Sequence, residues 1–211
     1  EEHHQHRGEP HGTPPGTGSM GSPARCTKAS SRLVRPLAAS SSSALPLATA
    51  LLELRLRNQE FLRPWEPRRS GGAPTIETQR AQLDHAIAAA RSDKAYHFGI
   101  FRRDNRLVGT ITLSNVARGA WQNATVGYFV DETENGKGYA TEAISLVARV
   151  AFGELGLHRV QAGVMPRNPG SMRALEKAGF RREGVSPRYL QINGIWEDHV
   201  MFALTQEDLS G

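Results

Sequence analysis

Apolar residues near the start of the patterned region follow first a strand and then a helix. The stretch Arg32–Leu37 suits a short β-strand. Helical spacing comes next, carried by Leu47, Leu51 and Leu54. The serine run Ser40–Ser43 offers N-terminal caps for this helix, and the two prolines of Phe61–Pro67 end it. We therefore expect a first strand followed by a first helix.

A second helix is expected after the prolines. Gly71-Gly72 gives the backbone conformational freedom, and Thr75 then caps a helix that continues through Arg91. One side of this helix carries Leu83, Ile87 and Ala90.

Three strands are predicted after the second helix, because strand-forming runs alternate there with turn residues. They cover Tyr96–Arg102, Leu107–Ser114 and Trp121–Val130, and Asp104-Asn105 is a hairpin turn between the first two. The three strands form an antiparallel meander.

The period becomes helical after Gly138. The apolar face consists of Ile144, Val147, Ala148, Ala151 and Leu155. A further strand is predicted over His158–Met165. The passage from strand through a glycine loop into a helix marks a candidate site.

A short helix and a hairpin complete the pattern. The helix covers Pro169–Ala178 and ends at Gly179. Phe180–Ile192 and Trp196–Leu204 form the hairpin, joined by Asn193-Gly194.

Composition indicates one globular domain preceded by a tail. The chain has 211 residues, of which 38% are hydrophobic and 22% charged, and it lacks an 18-residue apolar run that could span a bilayer. Residues 1–30 are rich in Gly, Pro, Ser and His, so we expect a disordered tail there and a domain over residues 31–211. No arrangement of Cys or carboxylate residues fixes a metal geometry around the four histidines of the tail, and no metal is expected.

Charge and cysteine content point to a compartment and to partners. The net charge of +5 favours anions, including the phosphates of a nucleotide cofactor, but the basic residues are scattered and predict no sequence-specific nucleic acid binding. The lone Cys26 has no disulfide partner, which fits a reducing, cytoplasmic location without membrane attachment. Either a monomer or a homodimer is compatible with the sequence.

The loop 135–141 is a candidate phosphate site. It reads Asn-Gly-Lys-Gly-Tyr-Ala-Thr and joins an apolar strand to an amphipathic helix, where backbone N–H groups and the helix dipole face an anion. The glycine spacing matches neither the nucleotide-triphosphatase loop nor the dinucleotide fingerprint. A glycine pair alone is more often a plain turn.

Further motifs resemble those of the Gcn5-related N-acetyltransferase (GNAT) family. The shared features are Gly127–Val130, the glycine loop, Asn168 followed by Ser171, and Glu176–Phe180. Within that family, four more segments resemble the RimJ group of ribosomal-protein-alanine N-acetyltransferases: residues 61–67, 114–119, 157–159 and 189–199. The resemblance covers residues 32–206.

The resemblance implies an α+β fold with three layers (α/β/α), the GNAT acyl-CoA N-acyltransferase fold. Its mixed, mostly antiparallel and twisted sheet splays near Val130 and Met165 to form a slot. Acetyl-CoA is the implied co-substrate. The residues implied to bind it are Tyr128, Phe129, Val130, Gly136, Lys137, Gly138, Tyr139, Ala140, Thr141, Asn168 and Ser171. Several of these residues also have explanations that involve no cofactor: core packing for the strand side chains, helix capping for Asn168, and solvent exposure for Lys137.

The resemblance also implies the chemistry, a direct attack of an amine on the thioester. Ser171 is expected to protonate the leaving thiolate, because Leu175 stands where many relatives carry a tyrosine. Gly163 stands where some carry a basic glutamate, so Glu66 and Asp198 are the remaining acid-base candidates. Acceptor-binding residues expected around the slot are Trp65, Glu66, Asn115, Arg118 and Tyr189.

The implied acceptor is a protein N-terminus, that of a ribosomal protein in the RimJ group. Two alternatives stay open at this point. One is acetylation of a small amine such as an aminoglycoside, a polyamine or an amino acid. The other is a non-catalytic module that binds CoA or the ribosome.

Overall fold

The computed structural model describes residues 33–37, 44–67 and 72–209. The expected disordered tail, the serine caps and Gly71 lie outside these residues. Seven strands form one sheet in the order β1-β2-β3-β4-β5-β7-β6. The strands are β1 (Val34–Pro36), β2 (Tyr96–Phe101), β3 (Leu107–Ala117), β4 (Asn123–Val130), β5 (Arg159–Val164), β6 (Arg181–Ile192) and β7 (Ile195–Thr205).

In the described part of the chain, five α-helices accompany this sheet and cover its two faces. They are α1 (Ala44–Arg57), α2 (Gln59–Leu62), α3 (Ile76–Arg91), α4 (Tyr139–Gly153) and α5 (Pro169–Lys177). One core forms where α4 and α5 pack on the sheet, and a second, smaller core lies between α1, α3 and the opposite face. The three-layer α/β/α arrangement is thereby confirmed.

Strand pairing follows the local turns. Strands β1 to β4 are antiparallel neighbours, and Asn105 takes a positive φ of 67° in the β2–β3 turn. Asn193 and Gly194 have φ values of 51° and 88°, as a two-residue hairpin turn between β6 and β7 requires. Both predicted hairpins are confirmed.

Local capping explains where α3 begins. The Thr75 hydroxyl accepts from the backbone N–H of Thr78, and the Thr78 hydroxyl accepts from the N–H of Thr75, so two N–H groups are satisfied at the helix start. The buried face of α3 is rotated from the expected one: Ile87 and Ala90 are half-buried at its edge. The fully buried positions are Gln79, Leu83, Ala86 and Ala89.

Two further boundaries differ from expectation. Helix α1 ends at Arg57, and the four-residue α2 precedes the prolines, because the buried Asn58 side chain bonds the Leu54 carbonyl and the Glu132 amide there. Leu155 lies beyond the end of α4 rather than on its face. In the part of the chain described here, no helix is long and apolar enough to cross a membrane.

Candidate functional site

A slot opens in the sheet between β4 and β5. These parallel strands pair only from Asn123 to Thr125 with Arg159 to Gln161. Beyond that point β4 continues to pair with β3, and β5 with β7. The facing edges of β4 and β5 therefore separate toward Val130 and Val164, as the predicted splay requires.

A cavity of about 790 Å³ lies at this slot. Its volume falls within the range of roughly 300–1,000 Å³ that small-molecule sites occupy. Its walls come from the end of β4, the glycine loop, α4, α5 and the segment after α1. They include Trp65, Glu66, Tyr128, Phe129, Val130, Gly136, Gly138, Tyr139, Ala140, Thr141, Asn168 and Ser171. The cavity thus gathers most of the residues expected from the sequence.

The glycine loop presents open backbone to this cavity. Gly136 and Gly138 have φ values of 78° and 88°, and no heavy atom beyond their immediate neighbours lies within 4 Å of a Cβ built on either. Gly138 is the N-cap of α4, so the N–H groups of the first helical turn, Tyr139–Thr141, lack intrahelical acceptors. These donors and the positive helix end suit a diphosphate, and the cavity fits the cofactor that the sequence implies.

The Lys137 side chain does not line the cavity. Its Nζ lies 3.0 Å from Glu134 Oε2, so the ammonium turns back to the chain instead of toward the expected phosphate. Of residues 136–141, Lys137 alone does not line the cavity. Its backbone remains part of the loop.

Two buried carboxylates anchor the segment before the loop. Asp131 is 1% exposed and bonds Arg57 at 2.5 Å and Arg106 at 3.2 Å. Burial alone would raise the pKa of Asp131, but hydrogen bonds from Arg57 and Thr133 outweigh it and the pKa is lowered. The ion pairs of the charged Asp131 side chain therefore fix the segment from which the loop starts.

Glu134 is the second carboxylate, only 3% exposed. It accepts hydrogen bonds at 3.0 Å from both Lys137 and Arg102. The bond from Lys137 is the main cause of its lowered pKa, with Arg102 adding to the effect. The two carboxylates hold the loop against the β2–β3 hairpin.

Ser171 lies on the cavity wall beside a second hydroxyl. Its Oγ is 2.8 Å from the hydroxyl of Tyr128, which also lies 3.2 Å from the Ser171 carbonyl. Burial raises the pKa of Tyr128 to about 12, and the bond to Ser171 opposes this only in part. The tyrosine therefore keeps its proton at neutral pH and can donate to Ser171.

Asn168 positions the start of α5. Its Oδ1 accepts from the Ser171 backbone N–H at 3.1 Å, which makes it the N-cap, with Pro169 as the first helical residue. The capping reading is thus correct, and Asn168 also lines the cavity.

Trp65 and Glu66 close the other end of the cavity. Glu66 forms a two-pronged ion pair with Arg55, at 2.8 and 2.5 Å. The Arg55 guanidinium also lies 5.0 Å from the centre of the Phe129 ring. Glu66 is therefore a neutralised carboxylate at a largely aromatic wall.

Tyr189 does not line the cavity. Its ring centre is 5.4 Å from that of His199, and both rings stand over Gly163 on β5. The sequence pointed to Tyr189 but not to His199, which is buried on β7.

Asn115 and Arg118 do not stand around the slot, so this expectation was wrong. Strand β3 runs antiparallel to β4, and its last residues lie beside Asn123, at the closed end of the β4–β5 pair. Arg118 bonds Asp93 at 2.5 and 2.6 Å. Asn115 sits at the irregularity of β3 with a φ of 52°.

The strand pattern of the sequence indicates the face on which Tyr128 lies, but the sequence analysis assigned no role to its hydroxyl. Strand alternation puts Tyr128 on the same face as Val126 and Val130, which belong to the core under α4 and α5. Its contact with Ser171 spans 43 positions of sequence and depends on how α5 docks.

In the described ranges no group of three or more His, Cys, Asp or Glu side chains is arranged to hold a metal ion.

Comparison with known proteins agrees with this geometry. Residues 43–181 match the acetyltransferase (GNAT) domain family. The "Probable N-acetyltransferase YjcK" of Bacillus subtilis is 48% identical over 158 residues, which are 74% of this chain and 87% of the relative. The ribosomal protein uS5-alanine N-acetyltransferase of Escherichia coli is 34% identical over 162 residues, 76% of this chain and 84% of that one.

A solved structure is similar over the same region. RimJ of Mycobacterium smegmatis, in complex with CoA-disulfide, has a TM-score of 0.76 and 33% identity, covering 84% of this chain and 83% of that one. Fold, cavity and sequence agree, and we conclude that this chain belongs to the GNAT acetyltransferase family and is an acetyl-CoA-dependent N-acetyltransferase.

Proposed function

We propose that this enzyme acetylates the N-terminal α-amine of a protein, with a ribosomal protein beginning in alanine as the physiological type of acceptor. The observation that carries the proposal is the 34% identity to a ribosomal-protein-alanine N-acetyltransferase over most of both chains. The chemistry of amines and the character of the acceptor end of the cavity support it.

The cofactor is bound largely by backbone groups. Past Thr125, the edge of β4 that faces β5 has no strand partner among the described residues, so the backbone at Tyr128–Val130 is free to pair with the amides of the pantetheine arm as an added strand. The N–H groups of Gly136–Thr141 bind the diphosphate. Asn168 holds the pantetheine near α5 with the donor group of its amide, because its Oδ1 serves as the cap.

Ser171 acts as the acid of the reaction. The amine nitrogen forms a bond to the thioester carbonyl carbon, and the carbon–sulfur bond breaks with its electron pair going to sulfur. Ser171 Oγ gives its proton to that thiolate. Tyr128 donates to Ser171 Oγ across the 2.8 Å contact and so replaces the proton, and the proton that the attacking nitrogen loses as the amide forms passes through solvent to the Tyr128 oxygen.

Acceptor chemistry favours an α-amine over a lysine. At pH 7 roughly one-tenth of an α-amine of pKa ~8 is neutral, whereas a lysine of pKa ~10.4 is neutral about once in 2,500 molecules. A modest base is therefore sufficient for an N-terminus. A site that has glycine instead of glutamate at position 163 of β5 is compatible with that requirement.

The acceptor end also disfavours polyamines. Phe61, Trp65 and Phe129 contribute aromatic surface there, and Glu66 is already paired with Arg55. A polycation would need carboxylates that are free to bind it. A short uncharged residue next to its own α-amine suits this wall better.

The test is a panel assay of thiol release from acetyl-CoA. The panel contains peptides starting with Ala or Ser, N-terminally blocked lysine peptides, polyamines and aminoglycosides. We expect turnover only with free peptide N-termini, and a fall in kcat of about 10²-fold in Ser171→Ala. The matched control is Ser92→Ala, whose hydroxyl caps α3 far from the cavity and whose loss leaves kcat unchanged.

Turnover of a polyamine or an aminoglycoside in preference to every peptide would overturn the proposed acceptor. Full activity of Ser171→Ala would remove Ser171 as the acid and leave the acceptor assignment standing.

A further inference from the structure

The reaction needs a group to remove a proton from the acceptor ammonium. Both carboxylates that the sequence offered are engaged: Glu66 is paired with Arg55, and Asp198 accepts the backbone N–H of Arg188 at 2.8 Å. Gly163 has no side chain to serve in their place. The groups packed around Gly163 are therefore the ones to consider.

His199 is a buried titratable group on this face of the sheet. It is 3% exposed, and its Nδ1 lies 3.0 Å from the backbone carbonyl of Glu197. A carbonyl only accepts, so Nδ1 carries the hydrogen. In the neutral ring, Nε2 is then a lone-pair acceptor, which is the form a proton acceptor needs.

The Cδ2 atom of the ring faces Gly163. A Cβ built on Gly163 would lie 3.5 Å from His199 Cδ2, the atom bonded to Nε2, and 3.4 Å from the Tyr189 ring. Gly163 lies past Gln161, where β5 has lost its pairing with β4, so its other edge borders the slot. Because residue 163 is glycine, no side chain of that residue stands between the imidazole and this edge of β5.

We propose that His199 is the proton acceptor for the amine. The N–H bond of the bound ammonium breaks, a water lying over Gly163 carries the proton, and an Nε2–H bond forms to give imidazolium. The neutral amine then attacks the thioester. The bond from Nδ1 to the Glu197 carbonyl keeps the ring in the required tautomer. This role depends on acetyl transfer and not on which amine is the natural acceptor.

The charges around His199 are few and paired. The Glu197 carboxylate bonds Arg167 at 2.8 Å, and Asp198 on the same strand bonds the Arg188 backbone. Tyr189 on β6 faces the ring, and Met201 on β7 is apolar. Among the described residues Nε2 has no hydrogen-bond partner, which leaves it open to a water.

The test compares pH–rate profiles of wild type and His199→Asn. Asparagine reproduces the Nδ1 donor to Glu197 but has no basic nitrogen. With an Ala-starting peptide we expect kcat/KM at pH 7 to fall about 10²-fold. At pH 9.5, where an α-amine of pKa ~8 is already neutral, the variant should come within about threefold of wild type.

A matched control is His158→Asn, which removes a histidine at the closed end of β5 that bonds Glu207. Its profile should follow that of wild type. An equal loss in His199→Asn at all pH values would mean a structural role, and no loss would mean no role; either result overturns the proposal.

The two proposals fail separately. If wild type ignores peptides but acetylates another amine, the proposed acceptor is wrong, and the same profiles on that amine still decide the role of His199. If wild type acetylates no amine at all, both proposals fall.

Discussion

The hydroxyl groups of Tyr128 and Ser171 lie 2.8 Å apart on the cavity wall, and either is able to donate to the other. When Tyr128 donates, the Ser171 proton is free to point at the cofactor sulfur. The raised pKa of Tyr128, about 12, keeps a proton available for this purpose. At the scale of single residues, the acid that we propose is thus a pair of hydroxyls.

Replacing Tyr128 by phenylalanine tests this pair. We expect kcat to fall about 10-fold, equivalent to about 1.4 kcal/mol, because Ser171 loses the donor that restores its proton. KM for acetyl-CoA should not change, since the backbone of β4 is unaltered. Steady-state kinetics provide the measurement, and Tyr96→Phe, which removes a hydroxyl bonded to Asp93 at 2.7 Å, is the control.

A double variant sharpens the result. If the hydroxyls act as one unit, Ser171→Ala with Tyr128→Phe is no slower than Ser171→Ala alone. Independent, multiplied losses would show that Tyr128 acts elsewhere.

The sequence predicts Ser171 and the Asn168 cap through a local motif, but it does not predict the partner of the Ser171 hydroxyl or the place of His199. The Tyr128 contact requires α5 to dock over β4, and the position of His199 requires the order β5-β7-β6. Such neighbours arise from long-range packing. Residue spacing alone carries no information about them.

At the scale of elements, the decisive feature is the junction of β4, the glycine loop and α4. Gly138 caps α4 with a left-handed backbone, φ 88°, and this turn directs the first N–H groups of the helix into the cavity. A residue with a Cβ resists this conformation by roughly 1–2 kcal/mol.

Gly138→Ala should therefore lower the free energy of unfolding by about 1–2 kcal/mol and raise KM for acetyl-CoA about 10-fold. Gly119→Ala is the matched control, because Gly119 has a φ of 68° and open space around it but lies before β4, away from the cavity. It should show the same loss of stability, measured by urea unfolding, with an unchanged KM. Equal KM values for the two variants would contradict the role given to this turn.

Elements with strong local signals were predicted well. Both hairpin turns and the capped start of α3 rest on neighbouring residues, and they are confirmed. The placement of Asn115 and Arg118 was wrong because segment 114–119 was assigned to the slot from its resemblance to the RimJ group and not from its place in the sheet. Antiparallel pairing of β3 with β4 carries that end away.

At the scale of the whole molecule, a charge network joins α1, the β2–β3 hairpin and the loop. Asp131 and Glu134 stand at its centre, nearly buried, and their partners are Arg57, Arg102, Arg106 and Lys137. Their pKa values are lowered in the folded protein. Such groups stabilise the fold fully above the carboxyl pKa of the unfolded chain, and this stabilisation is lost as pH falls through the folded value.

We accordingly expect the free energy of unfolding, measured by urea titration, to be steady between pH 5 and 7 and to fall as pH drops below about 4. Glu134→Gln should be less stable than wild type at pH 7 and should show a smaller fall on acidification. Glu60→Gln, which alters an exposed pair with Arg63, is the control and should resemble wild type. A wild-type stability that rises on acidification would contradict the network.

The proposed function depends on which amine receives the acetyl group. One peptide with a free N-terminal alanine and an internal lysine is offered to the enzyme with acetyl-CoA, and the acetyl group is located by fragment mass spectrometry. We expect acetylation of the alanine nitrogen alone. Acetyl groups on the lysine side chain, with the N-terminus left free, would contradict it.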